Sequence, residues 1–267
     1  MWVRSGSGEQ TSLGCGRVLA WLQCSATVAG ETTERHTARP LVRSCNRSTC
    51  PVCVARWARR EAAQAAPRLV SARELYAKHW EYLGNLKHVT FSPPRELWEH
   101  LDPETATADD YRQLRRSAVA IAKSAGVSGG CVVFHPWGGG HGHPWVWRPH
   151  FHILGYGHLE HAGQFHARTG WVYRNHGYRK TVEGTVSYEL GHCGVCDGVH
   201  TLTWFGCLSY NRLRTVCLSC KRSVHRCAVC GAPVHRYPLL SDGTVSWLDG
   251  VPYHVYERKI IYELTGG

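Results

Sequence analysis

Two histidines, His150 and His152, lie one residue apart in the segment RPHFHIL. Alternate side chains of a β-strand point to one face of a sheet, so a strand here would present both imidazoles on the same side. Farther along the chain, Tyr188 and His192 are four residues apart, a spacing that places two side chains on one face of a helix. We therefore expect these three histidines to bind a divalent cation within reach of the phenol of Tyr188.

Such a site would support attack on an anionic ester. A cation bound to a non-bridging phosphate oxygen would offset the charge that develops there. Histidine ligands suit Mn²⁺ better than Mg²⁺, although cellular supply can favour Mg²⁺. The tyrosine, with a reference pKa of about 10, would need activation to act as a nucleophile. Tyr173 and Tyr178 are alternative nucleophiles, and three histidines are alternative ligands: His135, His141 and His143.

The 13 cysteines point to metal binding rather than to disulfides, because several form C-x2-C pairs near histidines in a long chain. Two such pairs, Cys217 with Cys220 and Cys227 with Cys230, are separated by six residues. Pairs at this spacing can converge on one tetrahedral ion. We expect these four thiolates to form a structural zinc ribbon.

A second group of cysteines predicts another zinc site near the N-terminus. Cys45, Cys50 and Cys53 would supply three ligands. The candidates for the fourth ligand are Cys24, His36 and Cys15. One or two structural Zn²⁺ ions are therefore expected. Three further cysteines could either bind zinc or pack in the interior: Cys193, Cys196 and Cys207.

The segment between these cysteine groups has the pattern of an α+β domain. Thr107 and Asp110 form a capping box, and an earlier helix over residues 54–80 should be interrupted at Pro67. The order of elements predicts a ferredoxin-like or RNA-recognition-motif-like antiparallel sheet with helices on one face. The expected strands cover residues 86–92, 130–135, 145–155 and 171–173, and the expected helices cover 107–125 and 182–190.

Three consecutive domains are predicted. Residues 1–83 would form a cysteine-rich, zinc-binding and helical segment, 84–210 the α+β domain, and 211–267 the zinc ribbon and tail. The first residues of the chain are rich in Gly, Ser and Thr, so we expect little regular structure before Cys45.

The composition indicates a polyanionic partner, since 31 Lys and Arg against 20 Asp and Glu give a net charge of +11. Such an excess favours nucleic acid. No apolar run approaches the roughly 18 residues of a membrane helix, and the cysteine usage fits a reducing compartment, so we expect a cytoplasmic protein without membrane contact. No G-x-x-x-x-G-K-[ST] motif occurs, so a helicase would be a separate partner.

Three motifs in order along the chain resemble those of the HUH endonuclease superfamily, and in particular the rolling-circle replication initiators of archaeal plasmids and viruses. The first is HVTFSPP at residues 88–94, the second is the pair His150 and His152, and the third is GTVSYELGH at residues 184–192. In that group a cysteine cluster like the one at residues 45–53 precedes the first motif. The resemblance covers residues 45–210.

The resemblance implies a metal-dependent endonuclease that nicks and rejoins single-stranded origin DNA through a 5′-phosphotyrosine at Tyr188. The implied partners are an origin hairpin, a host polymerase that extends the free 3′-hydroxyl, and a helicase. Many relatives carry a lysine three residues after the tyrosine, where this chain has Gly191. Another cation must then position the phosphate, and the candidates are Arg148, Arg179 and Lys180. The alternatives are a transposase or plasmid relaxase of the same superfamily, or a non-catalytic zinc-containing nucleic-acid-binding protein.

Overall fold

The chain forms two compact units, each assembled from segments that are far apart in sequence. The computed structural model describes residues 2–8, 14–28, 36, 38–78, 83–140, 143–178 and 181–265. The first unit contains Met1–Gln10, Asn46–Thr215 and Tyr262–Gly267, and the second contains Thr11–Cys45 and Val216–Ile261. This division differs from the three consecutive domains predicted above, because N-terminal and C-terminal segments contribute to both units.

Antiparallel strands outnumber helices in this mixed α+β structure. The strands are β1 (Val3–Arg4), β2 (Val18–Cys24), β3 (Ala38–Val42), β4 (Lys87–Ser92), β5 (Val127–Gly140), β6 (His143–Gly157), β7 (Val172–Tyr178), β8 (Gly194–Val195), β9 (Leu202–Gly206), β10 (Leu213–Val224), β11 (Val234–Pro238), β12 (Val251–Pro252) and β13 (His254–Leu264). The helices are α1 (Ser25–Val28), α2 (Val54–Lys78), α3 (Ala108–Ser124), α4 (Ala162–Thr169) and α5 (Val182–Leu190), with a 3₁₀ turn at Arg95–Leu97. None of the described helices is both long and apolar enough to cross a membrane.

The main sheet of the first unit has five antiparallel strands in the order β7-β4-β6-β5-β9. Its first four strands, with α3 and α4, follow the connectivity β-α-β-β-α-β. β5 and β6 form a long hairpin in which His135 lies opposite His150, and β4 places Thr90 opposite His152. This register brings histidines of neighbouring strands side by side.

Both faces of this sheet are covered by helices. On one face, α3 and α4 pack against Phe91 and Ile153, and on the other, α2 and α5 pack against Val133 and Leu154. The prediction of helices on one face is therefore wrong. Consecutive residues of β5 and β6 are apolar, so both faces of these strands must be shielded from water.

Helix α2 continues through Pro67, where the sequence predicted an interruption. Proline removes a backbone hydrogen bond and costs about 3 kcal/mol inside a helix. Pro67 is exposed, whereas Ala65, Leu69 and Ala72 pack into the core. Burial of this apolar side offsets the penalty, since one fully buried Leu alone contributes about 1.5–3 kcal/mol.

Two helix predictions are confirmed residue by residue. α5 spans Val182–Leu190, as expected. α3 begins with the predicted capping box, in which Thr107 and Asp110 each accept a hydrogen bond from the other's backbone N–H. The turn after α3 needs Gly126, because its φ is +99° and a Cβ there would lie 1.9 Å from the carbonyl oxygen of His158.

The second unit contains a four-stranded sheet in the order β12-β11-β2-β3. β2 comes from the N-terminal segment and pairs with β11 from the C-terminal segment. The N-terminal residues that were expected to lack regular structure therefore supply two strands, and the predicted ribbon region shares its sheet with them. The described hydrophobic cluster of this unit is small and has Leu22, Cys24, Cys227 and Val234 as its buried members, while Ala20 and Tyr237 are buried elsewhere in the unit.

Candidate metal centre

A cluster of histidines lies on the face of the main sheet that α2 and α5 cover. His88 belongs to β4, His135 to β5, and His150 and His152 to β6. Val133, two residues before His135 and thus on the same face, packs into the core with α2 and α5. The register of β5 with β6 adds His150 and His152 to this face.

Glu189 of α5 places a fully buried carboxylate among these histidines. Its Oε2 lies 2.9 Å from Nδ1 of His152 and 3.3 Å from Nε2 of His135, and its Oε1 lies 3.1 Å from Nε2 of His88. Nε2 of His88 lies 2.8 Å from Nδ1 of His152. Glu189 and His88 were not among the ligands predicted from the sequence.

The spacing of these atoms fits a cation between them. Nitrogen and oxygen ligands about 2.1 Å from a metal ion are roughly 3 Å from one another, and the distances here run from 2.8 to 3.3 Å. In the described part of the chain, neither oxygen of Glu189 nor Nε2 of His135 has a well-directed hydrogen-bond partner, although all three atoms are buried. Buried polar atoms are normally satisfied, so a bound cation would account for the arrangement.

The three predicted histidine ligands lie close to His135, which is part of this cluster. His150 and His152 form one potential ligand group with His135, and His192 forms another with His135 and Glu189. Within each group, one ligand atom per residue lies within 4.8 Å of the others. The structure therefore brings the three predicted histidines to one region. Both groups include His135, which was predicted only as an alternative ligand.

The electrostatics of the cluster favour the protonation states that bind cations. Burial, with the neighbouring histidines, lowers the pKa of His135 well below its ordinary value and that of His150 to about 4. Burial also lowers the pKa of His192. Burial by itself raises the pKa of Glu189, but two adjacent histidines outweigh this effect and lower that pKa to about 2. At neutral pH these imidazoles are neutral and the carboxylate is ionised, which are the ligating forms.

Tyr188 lies at the edge of the cluster, with 59% of its surface exposed. Its ring centroid is 4.7 Å from that of His192, and the His192 ring is 4.5 Å from the ring of His135. α5 ends at Leu190 with Gly191 as its C-cap, so His192 lies beyond the helix and not on its face as expected. The phenol and the imidazole nevertheless meet.

A cation from the N-terminal segment, Arg4, acts electrostatically on His192. β1 pairs with β8, with Arg4 opposite Gly194, two residues after His192. The guanidinium carbon of Arg4 is 4.8 Å from the ring centroid of Trp145, and that ring is 6.3 Å from the ring of His192. No local pattern in the sequence predicts this contact, because the participating residues are distant along the chain.

Of the other residues predicted to serve this site, the structure describes the side chains of Arg148, Tyr173 and His135. Arg148 is exposed on β6 and lies against Gly138. The hydroxyl of Tyr173 donates a hydrogen bond to the backbone carbonyl of Glu160. His141, Arg179 and Lys180 lie outside the described residues, as do the side chains of His143 and Tyr178.

The four cysteines predicted to form the zinc ribbon do not come together. Cys217 and Cys220 are exposed on β10, where residues three apart point to opposite faces of the strand. Cys227 and Cys230 instead form a potential ligand group, which could hold zinc, with two residues of the N-terminal segment: Cys24 and His36.

The segments that carry the N-terminal cysteines are divided between the two units. Cys50 and Cys53 are buried in the first unit, where the N–H of Cys53 bonds to the carbonyl of Cys50 in a turn that leads into α2. Cys45 ends a segment of the second unit. Two of the three candidates for the fourth ligand, Cys24 and His36, belong to the group just described. Cys15 is the remaining candidate, and zinc at Cys45, Cys50 and Cys53 stays a prediction.

Cys193, Cys196 and Cys207, for which both metal ligation and packing were considered, are packed within the first unit. The thiol of Cys193 is fully buried and donates a hydrogen bond to the carbonyl of Leu190. Cys196 and Cys207 pack against the hydrophobic cores on the two faces of the main sheet. Among the described residues, none of the three belongs to a potential ligand group.

The chain matched no protein-family model, no curated protein and no solved structure. Its chemistry must therefore be argued from the site. The site combines neutral imidazoles and a buried carboxylate, which can hold a divalent cation, with an exposed phenol and a nearby guanidinium. These groups can bind a phosphate ester and attack it.

Proposed function

We propose that this chain is a metal-dependent, HUH-type endonuclease that nicks and rejoins single-stranded DNA and thereby initiates rolling-circle replication. The observation that carries the proposal is the contact of the exposed Tyr188 ring with His192, 4.7 Å apart, at the edge of the buried histidine and carboxylate cluster. A phenol beside a cation site is the combination that strand transfer to tyrosine requires.

The cluster would bind Mn²⁺ or Mg²⁺, which would polarise a non-bridging oxygen of the scissile phosphate. His150, His152 and His135 would be ligands from the sheet, and His192 a ligand from the segment after α5. Glu189 contributes the negative charge that neutral imidazoles lack. Because it contacts histidines from three strands, it also fixes the positions of their rings.

In the proposed reaction, the Tyr188 hydroxyl oxygen attacks phosphorus and the bond from phosphorus to the DNA 3′-oxygen breaks. The phenolic proton passes to water, which reaches the exposed ring, and the leaving 3′-oxygen takes up a proton to become a hydroxyl. The protein keeps the 5′-phosphate as an ester of Tyr188. Attack on that ester by a 3′-hydroxyl reverses the step and rejoins the strand.

Three further features support this function. The β-α-β-β-α-β order, with histidines on adjacent strands, fits the palm of the HUH superfamily. The net charge of +11 suits DNA, and the partners would be an origin hairpin, a host polymerase and a separate helicase. The Trp145 ring lies 6.3 Å from the His192 ring and 4.8 Å from the guanidinium carbon of Arg4, and a guanidinium can bind phosphate while an indole can stack on an unpaired base.

Covalent capture tests the proposal. Purified protein would be incubated with a labelled pool of single-stranded hairpin oligonucleotides and Mn²⁺, Mg²⁺ or a chelator, and separated under denaturing conditions. We expect a metal-dependent covalent adduct that Tyr188→Phe abolishes. Tyr256→Phe is the matched control, because Tyr256 is also exposed but lies in the second unit, and this variant should form the adduct normally.

Two outcomes would contradict the proposal. An adduct that persists in Tyr188→Phe would exclude Tyr188 as the nucleophile. DNA binding without any adduct, whichever metal is supplied, would favour a non-catalytic binding protein.

A further inference from the structure

The second unit brings together three thiols and one imidazole from opposite ends of the chain. Cys24 ends β2, His36 lies between β2 and β3, and Cys227 and Cys230 lie in the turn between β10 and β11. Sγ of Cys24 is 3.5 Å from Sγ of Cys230, and Sγ of Cys227 is 3.6 Å from Nδ1 of His36. One ligand atom of each residue lies within 4.8 Å of the others.

These distances fit zinc and do not fit a disulfide. A disulfide requires a sulfur–sulfur distance of about 2.05 Å. Two thiolates about 2.3 Å from a tetrahedral zinc ion are roughly 3.8 Å apart, close to the separation of Cys24 and Cys230. Three cysteines and one histidine are also a common ligand set for structural zinc.

The turn that carries Cys227 and Cys230 has the backbone of a zinc knuckle. The N–H of Gly231 bonds to the carbonyl of Cys227 at 2.9 Å, and the N–H of Cys227 bonds to the carbonyl of Ala232 at 2.8 Å. Gly231 has a φ of +72°, which favours glycine. This tight turn holds the two thiols of the C-x2-C pair near each other.

We propose that Cys24, His36, Cys227 and Cys230 bind one structural zinc ion that joins the N-terminal and C-terminal segments of the second unit. Cys24 and Cys230 are separated by 206 positions in the chain, so the ion closes a long loop. The described cluster around it has four buried members, and two of these, Cys24 and Cys227, are ligands themselves. With so little apolar burial, the metal supplies much of the folding free energy of this unit. The proposal does not depend on the endonuclease activity.

Alkylation of the native protein tests this site without mutation. Cys230 is exposed, as are Cys217 and Cys220, which form the other C-x2-C pair and serve as internal controls. In zinc-replete protein, we expect iodoacetamide to modify Cys217 and Cys220 while Cys230 is protected, as measured by peptide mass spectrometry. A chelator should remove the protection from Cys230 and expose Cys24 and Cys227 together. Equal modification of Cys230 and Cys217 in zinc-replete protein would overturn the proposal.

Variants identify the ligands. His36→Ala should lower the zinc content by about one ion per chain, and His36→Cys, which supplies a fourth thiolate, should restore it. This rescue separates ligation from a general failure to fold. The paired control Cys217→Ser with Cys220→Ser should keep its zinc and the thiolate-to-metal charge-transfer band of the Co²⁺-substituted protein. Loss of the ion from this control, with retention in His36→Ala, would show that the ion is held elsewhere.

Discussion

Oε2 of Glu189 lies 2.9 Å from Nδ1 of His152, in a region where the carboxylate has no solvent exposure and the imidazole little. An ionised carboxylate is costly to bury unless positive charge or strong hydrogen bonds compensate it. The neighbouring imidazoles lower its pKa to about 2, so the carboxylate stays charged after burial has been taken into account. An ionised carboxylate that remains buried among side chains able to ligate a metal supports the proposed cation site.

Replacing Glu189 by Gln should weaken Mn²⁺ binding at least about tenfold, because the amide preserves the size of the side chain but removes its charge. Glu183→Gln is the matched control, since Glu183 lies on the same helix and is exposed. Titration calorimetry or the EPR signal of free Mn²⁺ would measure both affinities. Equal affinities in the two variants would exclude the carboxylate from the cation site.

Arg4→Gln should slow adduct formation about 100-fold, because the variant loses the charge that offsets phosphate charge in the transition state. Arg4→Lys should recover only part of the rate, since lysine keeps the charge but lacks the planar group that stacks on Trp145. Single-turnover rates would be measured for protein with an unchanged circular dichroism spectrum. A wild-type rate in Arg4→Gln would show that the phosphate is positioned by another group.

Local patterns in the sequence predict much of the site. The pairing of His150 with His152 on one strand face follows from strand periodicity, and the bounds of α5 follow from its composition. The position of Glu189 on helix α5 also indicates that it is part of the site, because it lies between Val186 and Leu190, which are both buried. A charged residue on an apolar helix face requires a partner, and that argument would have assigned it to the site.

Pairings between distant segments are not visible in such patterns. The contact of Arg4 with Trp145 depends on the pairing of β1 with β8, and that of Cys24 with Cys230 depends on the pairing of β2 with β11. Each strand pairing is decided by burial in the complete fold, which a single sequence does not display. Cysteine spacing alone was misleading, because Cys217 lies on a strand and not in a turn.

Arg68 is a buried cation that stabilises the first unit without contributing to the site. Its guanidinium donates hydrogen bonds to the carbonyls of Leu208 at 3.0 Å and Ser209 at 3.1 Å, and it lies 5.1 Å from the ring centroid of Trp204. Arg68→Met should destabilise the protein by about 3 kcal/mol, because buried carbonyls lose a charged donor. Arg73→Met, at an exposed position of the same helix, should change stability by less than about 0.5 kcal/mol. Urea unfolding measures both values, and similar values for the two variants would contradict this role.

The capping box of α3 gives a stability effect that depends on pH. Thr107→Ala should destabilise the protein by about 1 kcal/mol at neutral pH, because it removes the hydroxyl that accepts a hydrogen bond from the N–H of Asp110 and donates one to the carboxylate of Asp110. The backbone and side-chain hydrogen bonds from Thr107 lower the pKa of Asp110 in the folded state. Stability from this carboxylate is therefore present above its ordinary pKa of about 3.9 and is lost as the pH falls through the lowered folded value.

The difference in unfolding free energy between wild type and Thr107→Ala should consequently shrink in acid. Urea unfolding of both proteins at neutral pH and at about pH 3, near the reference pKa of aspartate, measures this change. Ser117→Ala, at a half-buried position within the same helix, should show no such dependence, because its hydroxyl donates to the backbone carbonyl of Gln113, which does not titrate. A difference for Thr107→Ala that is the same at both pH values would mean that the hydroxyl of Thr107, and not the charge of Asp110, provides the stabilisation.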